Sequence, residues 1–264
     1  MRNKKKHNHD TIDLNVNASF LAKAFTRPDF LDVLNEAACK TYEDFDEAGF
    51  HAYVSLDGKV SVSDVHVGTN ESMFRLGRDS DDIDLESDIM LLFMHFHPEK
   101  TGPAVPSYGD LSLVTAVRKC AILTDDSNYI AEYRPLYAVG KARANHDIEL
   151  LVFQEQRLLS SKDVRHADNA IIRYLESNGV SPIEDSIVHS DIHTSQISKI
   201  LSDSGYNSAV LRYNEPIWRG SYARRIIEKH RDNFEKKLSS FAQTIRIKEC
   251  NQDELDKFFL EEGL

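Results

Sequence analysis

The sequence predicts an α/β (α+β) chain: a mixed β-sheet flanked by helices, with a mainly helical C-terminal region. Three observations carry this. Ile89 to Phe96 (IMLLFMHF) is nearly all apolar and has the length of a strand buried on both faces. Before it, Leu31, Leu34, Ala38, Tyr42 and Phe45 recur at helical spacing. After about Gln156 the β-forming runs give way to helical patterns.

The elements follow in order. Thr26-Arg27-Pro28-Asp29 reads as a helix start, with Thr26 as cap, Pro28 in the first turn and Asp29 at the capping-box position. The helix is expected to run to about Phe45. Gly49 to Leu56 is rich in β-formers, and Asp57-Gly58 is a hairpin signal. Lys59 to Gly68 answers as the second strand. Its alternation changes phase at Val65 and Val67, which predicts a bulge near Asp64. Residues 78–88 are acidic and read as a solvated loop or short helix. Ser107 to about Lys119 reads as a helix, and Ala121 to Thr124, Ile130 to Val139 and Ile148 to Phe153 as strands. Beyond these, one helix carries Ala167, Ile171, Ile172 and Leu175 and ends at Asn178-Gly179. A second is capped by Thr194 or Ser195 and ends near Gly205. A third runs from Tyr222 to about Phe241. The expected division is a disordered basic tail over 1–19, a main domain over 20–157, and a mainly helical region over 158–264.

The bulk numbers narrow the function classes. The chain has 264 residues, 41% hydrophobic and 28% charged, as in soluble globular proteins. A net charge of −11 argues against broad binding to nucleic acid or anionic membrane. The cysteines are Cys39, Cys120 and Cys250, odd in number and far apart, so neither a disulfide framework nor a thiolate metal site is expected. A reducing, cytoplasmic setting fits that usage. The basic start MRNKKKHNHD runs into Asp10 and Asp13 where a signal peptide needs an apolar stretch, so no targeting segment is expected. Ile89 to Met94 is too short to span a membrane.

The chemistry concentrates in Met94 to Asp110, MHFHPEKTGPAVPSYGD. Alternate residues of a strand share a face, so His95 and His97 point the same way while Phe96 points into packing. Asp110 opens the next helix after a loop long enough to fold back. Two imidazoles and a carboxylate suit Zn²⁺ and leave a fourth position open. His-x-His alone proves little, since His7-Asn8-His9 repeats it in the tail. Ser107-x-x-Asp110 is also a helix N-terminal signature in its own right.

Taken together, His95-Phe96-His97-Pro98 and Pro106-Ser107-Tyr108-Gly109-Asp110 resemble the JAMM motif of MPN/JAB-type metalloproteases, over residues from about 20 to 156. The resemblance implies an MPN/JAB-like mixed sheet between helices. It also implies zinc held by His95, His97 and Asp110, a glutamate that moves the proton of water, and a serine, Ser107, that helps stabilise the oxyanion. Family members often carry Glu-x-x-Gly or Glu-x-Gly-Gly after the first long helix. Glu47-Ala48-Gly49-Phe50 stands there, so Glu47 takes the role, with Asp46 and then Glu43 behind it. The implied activity is zinc-dependent hydrolysis of a peptide or isopeptide amide bond. The implied partner is a protein or peptide substrate, ubiquitin-like conjugates among them. The sequence departs from the family in three places. The spacing between His97 and Asp110 is two residues longer, Phe96 replaces the usual Ser or Thr, and Phe50 replaces the second glycine.

Two alternatives stand beside this reading. One is a non-catalytic scaffold on the same fold. The other is a nucleic-acid-associated protein using Arg219, Arg224, Arg225 and Lys229, though His193 to Tyr206, which has a faint helix-turn-helix rhythm, offers only Lys199 as a base. His189 and His193, with Asp191 between, could bind a second metal but read more simply as a lead-in to a helix cap. Trp218 reads as a packing anchor.

Overall fold

The computed structural model describes residues 11–44, 47–68, 88–97, 104–142, 147–180, 193–213 and 223–262. In chain order these form β1 (Thr11–Val16), α1 (Ala18–Ala24), α2 (Pro28–Asp44), β2 (Ala48–Ser55), β3 (Val60–Val62), β4 (His66–Val67), β5 (Asp88–Phe96) and α3 (Tyr108–Ala116). There follow β6 (Lys119–Leu123), β7 (Asn128–Glu132), β8 (Leu136–Ala142), β9 (Ile148–Glu155), α4 (Ser161–Ser177), α5 (Thr194–Asp203), β10 (Tyr206–Tyr213), α6 (Ala223–Lys237), β11 (Gln243–Cys250) and α7 (Gln252–Glu262). The expected mixed α/β architecture is present.

The larger sheet runs β10-β9-β8-β5-β2-β3, with β4 also on β2. It is mixed because β5 and β8 pair parallel while their neighbours pair antiparallel. A second, antiparallel sheet runs β1-β11-β7-β6. The larger sheet has a core on each face. Phe50, Met94 and Phe96 belong to a cluster with Leu34 of α2, Phe234 of α6, and Ile122, Ala131, Ile245 and Ile247 of the second sheet. Phe93, Tyr137, Leu151 and Phe153 point the other way, onto Leu111 and Val114 of α3, Ile171 of α4 and Ile197 of α5. Strand β5 is therefore apolar along its length because both of its faces are covered. Among the described residues no helix is long and apolar enough to cross a membrane.

Several expectations are corrected. Residues 11–19 are not tail: Ile12, Leu14 and Val16 alternate along β1, which pairs antiparallel with β11. Residues 1–10 lie outside the described residues. The region after 157 is mainly helical, as expected, with α4, α5, α6 and α7, but it also supplies a strand to each sheet: β10 extends the larger sheet beside β9, and β11 lies between β1 and β7. Thr26 does not cap α2; its hydroxyl donates back to Ala22 O at 2.7 Å, closing α1 instead. Helix α3 ends at Ala116, because Val117 is already extended and β6 begins at Lys119. The run from Ile130 to Val139 splits around Tyr133-Arg134-Pro135 into β7 and β8, which belong to different sheets. Thr194 turns its hydroxyl to Glu149, and the residue before α5, His193, gives no side-chain cap. Elsewhere, β3 and β4 both pair with β2 on either side of the break near Asp64. Gly179 and Gly205 hold φ of 77° and 97° just past α4 and α5, the left-handed turn that ends helices.

Candidate metal centre

The site lies where β2, β5 and α3 meet. Antiparallel pairing sets Ala48 opposite Phe96 and Gly49 opposite His95, which carries Glu47 to the edge of the two histidines. Gly49 is what permits this approach. A Cβ there would lie 2.3 Å from Met94 O and 2.8 Å from His95 Cα, so any larger residue would push β2 away from the histidine strand. On the far side, Gly140 of β8 lies opposite Phe96, and a Cβ would meet the Phe96 ring at 2.5 Å.

Strand alternation does what the spacing predicts. His95 and His97 share a face and their Nε2 atoms approach to 2.7 Å, while Phe96 is buried in the opposite core. Glu47 Oε1 lies 3.1 Å from His95 Nε2 and 3.7 Å from His97 Nε2. Asp110 reaches the same nitrogens from α3, with Oδ1 3.7 Å from His95 Nε2 and Oδ2 3.7 Å from His97 Nε2. Glu47, His95 and His97 form the tightest set, with one ligand atom from each lying within 4.8 Å of the others, and this group could hold a metal ion. Two nitrogens bound tetrahedrally at ~2.0–2.1 Å stand roughly 3.3 Å apart, so an ion would spread the imidazoles by roughly half an ångström or slightly more.

Asp110 has two tasks. Its Oδ2 accepts the Ser107 amide at 2.6 Å, and Ser107 Oγ accepts the Asp110 amide at 3.2 Å, so the capping box is complete. The same carboxylate, 8% exposed, faces the histidines. The capped-helix reading and the ligand reading of Ser107-x-x-Asp110 are thus both embodied in one side chain. Ser107 is exposed at the mouth and, among the described residues, donates its hydroxyl proton to no acceptor.

Electrostatics suit cation binding. Burial drives the His95 imidazole down to about 3, against the pull of Asp110 and helped by neighbouring His97. His95 is therefore neutral near pH 7, the form that offers a lone pair to a metal. Burial raises the Asp110 carboxyl, but His95, His97, the Ser107 amide and Tyr137 together bring it below its ordinary value, so it is ionised. Among the described residues no lysine or arginine pairs with it, and its basic neighbours are the two imidazoles. The base of the site is buried, while His97 and Glu47 side chains, each 23% exposed, form its open rim.

The sequence reading missed Tyr137. Its hydroxyl donates to Asp110 Oδ1 at 2.8 Å and lies 3.2 Å from His95 Nδ1. No local pattern marks it, because it comes from the neighbouring parallel strand. Asp46, Pro98 and residues 78–87, 99–103, 189, 191, 218 and 219 lie outside the described residues, as do the side chains of Glu43, Arg224 and Arg225. The cysteines are free thiols, and burial pushes Cys120 up to about 12, so it is no rival nucleophile. No family model, curated protein or solved structure matches the chain, so function has to be read from the site's own geometry.

Proposed function

We propose that the chain is a zinc-dependent hydrolase of a peptide or isopeptide amide bond, with an MPN/JAB-like fold, as its resemblance to the JAMM family implies. One observation carries the reading: His95, His97, Asp110 and Glu47 converge from two strands and a helix N-terminus on one half-open point beside Ser107. A mixed nitrogen and oxygen donor set favours Zn²⁺ over the all-oxygen sites of Ca²⁺ and Mg²⁺.

His95, His97 and Asp110 are the residues that would hold the ion. Asp110 suits this role because two hydrogen bonds already lock its carboxylate. Bound Zn²⁺ supplies Lewis acidity to the substrate carbonyl and lowers the pKa of water toward ~7. Glu47, on the rim, takes the proton of the attacking water as its oxygen bonds to the carbonyl carbon. The same carboxylate then returns the proton to the amine nitrogen as the C–N bond breaks. The Ser107 hydroxyl donates to the carbonyl oxygen as negative charge grows there. Glu47 and Ser107 are the catalytic residues of this reading, and the substrate is a protein or peptide, including a ubiquitin-like conjugate.

Metal analysis of the full chain, purified without chelator, tests this. About one zinc per chain is expected, lost in His97→Ala. Folded protein that takes up no zinc ends the proposal.

A further inference from the structure

Tyr137 sits on β8, whose parallel register sets it beside Phe93 and sets Val139 beside His95. Its ring stacks on Phe93 with centroids 4.7 Å apart and leans on Phe153 at 5.2 Å. It also meets the His95 ring edge-on at 5.5 Å. The phenol is 3% exposed, so its hydroxyl is held in place by packing on three sides. That hydroxyl contacts two residues of the metal centre, Asp110 Oδ1 at 2.8 Å and His95 Nδ1 at 3.2 Å.

Counting protons decides how these contacts work. A phenol has one proton to give, and an ionised carboxylate can only accept. If Tyr137 donated to His95 Nδ1, its oxygen and Asp110 Oδ1 would face each other 2.8 Å apart with no proton between them. The arrangement that puts a proton in both contacts of the Tyr137 hydroxyl runs one way. His95 Nδ1–H donates to the Tyr137 oxygen, and the Tyr137 O–H donates to Asp110. The lone pair of His95 is then on Nε2, the atom that faces His97 and Glu47.

We propose that Tyr137 is a positioning residue of the metal centre, its single hydroxyl fixing both the tautomer of His95 and the orientation of Asp110. Its purpose rests on the metal-centre reading above. Histidines that bind metals commonly donate their second ring N–H to an oxygen that holds the ring, and loss of that partner typically weakens metal binding roughly 10–100-fold. Tyr137 differs in serving two ligands at once, so losing its hydroxyl frees both.

Long-range ¹H–¹⁵N correlation NMR of the full chain without metal reads the tautomer directly, with His95 assigned by its absence in His95→Gln. The wild type should show His95 protonated at Nδ1. Tyr137→Phe, which keeps the ring and its stacking, should lose that preference and bind Zn²⁺ roughly 10–100-fold more weakly in a competition titration. A merely structural tyrosine would leave the tautomer unmoved. An Nε2–H tautomer at His95 in the wild type overturns the proposal, and so does Zn²⁺ affinity in Tyr137→Phe within about twofold of wild type. Should the wild type bind no Zn²⁺, the hydrolase reading fails, while the tautomer measurement still decides what Tyr137 does.

Discussion

Buried carboxylates are answered in two different ways in this molecule. At the ends of β9, Glu155 and Glu149 each meet an arginine. Arg118 forks onto Glu155 with contacts of 3.0 and 2.7 Å, and Arg212 Nε lies 2.6 Å from Glu149. The backbone amide of Leu159 and the Thr194 hydroxyl complete those two sites. Asp110 is buried too, though less deeply, and is held by an amide, a phenol and two imidazoles, of which His95 is neutral near pH 7. The first pattern closes a charge balance within the chain and ties segments together. The second sets the carboxylates of Asp110 and Glu47 around two imidazole nitrogens, the environment that a cation completes. Burial by itself therefore does not mark a functional carboxylate; the identity of its partners does.

The sharpest way to break the comparison is at Glu47. It lies closer to His95 Nε2, at 3.1 Å, than Asp110 does, at 3.7 Å, so geometry admits it as a ligand as well as a base. Glu47→Gln should lower amide hydrolysis about 10³-fold, within the range for a lost general base, while Zn²⁺ affinity stays within a few-fold. Turnover assays and a Zn²⁺ competition titration on the same preparation separate the roles. A collapse of affinity would make Glu47 a ligand, and full activity would remove it from the chemistry.

Next in size are paired substitutions at the two kinds of carboxylate. Asp110→Asn keeps an acceptor for the Ser107 amide, so the capping box survives and the metal-free protein should lose only about 1 kcal/mol. Its Zn²⁺ affinity should fall by more than the roughly 100-fold typical of lost outer partners. Arg118→Ala should do the reverse. It strands Glu155, which is fully buried, and should cost about 3 kcal/mol in urea unfolding with Zn²⁺ affinity unchanged. Similar stability losses in both variants would erase the distinction.

Much of the candidate site was legible because it is local. Alternation along β5 puts His95 and His97 on one face, and the Ser107 capping box brings Asp110 back to them. Glu47 needed only the step from α2 into β2, and Gly49 proved to be the residue that lets that strand lie against His95. Tyr137 was not legible, since its role depends on which strand lies beside β5 and in what register. The same cause explains the misread ends of the chain. Ile245 and Ile247 alternate as clearly as Ile12 and Leu14, yet each strand is marginal alone and becomes a sheet only by pairing across the whole length of the chain. For the same reason the pattern after 158 gave no sign that β10 and β11 complete sheets begun much earlier.

The smallest expected effect sharpens the comparison through pH. His51 lies opposite Phe93 on β2, its ring 4.9 Å from that phenylalanine and 6.0 Å from His66. Burial, and then the charge of His66, brings it down to about 4, as burial brings His95 to about 3. Both folded values lie below the ordinary 6.5, so between about pH 6.5 and 4 the unfolded chain binds protons that the folded chain refuses. Stability is thus fully present above pH 6.5 and is lost as the pH falls through this window. From pH 7 to pH 5 each histidine should account for a loss on the order of 2 kcal/mol, at about 1.4 kcal/mol per pH unit. Urea unfolding of metal-free protein at the two pH values measures the total, and His51→Phe should remove about half of the histidine share while leaving Zn²⁺ binding at neutral pH intact. An unchanged slope in that variant would mean that His51 already takes its proton in the folded state. The neutral-imidazole environment would then be confined to the metal centre rather than shared along the β2–β5 pair.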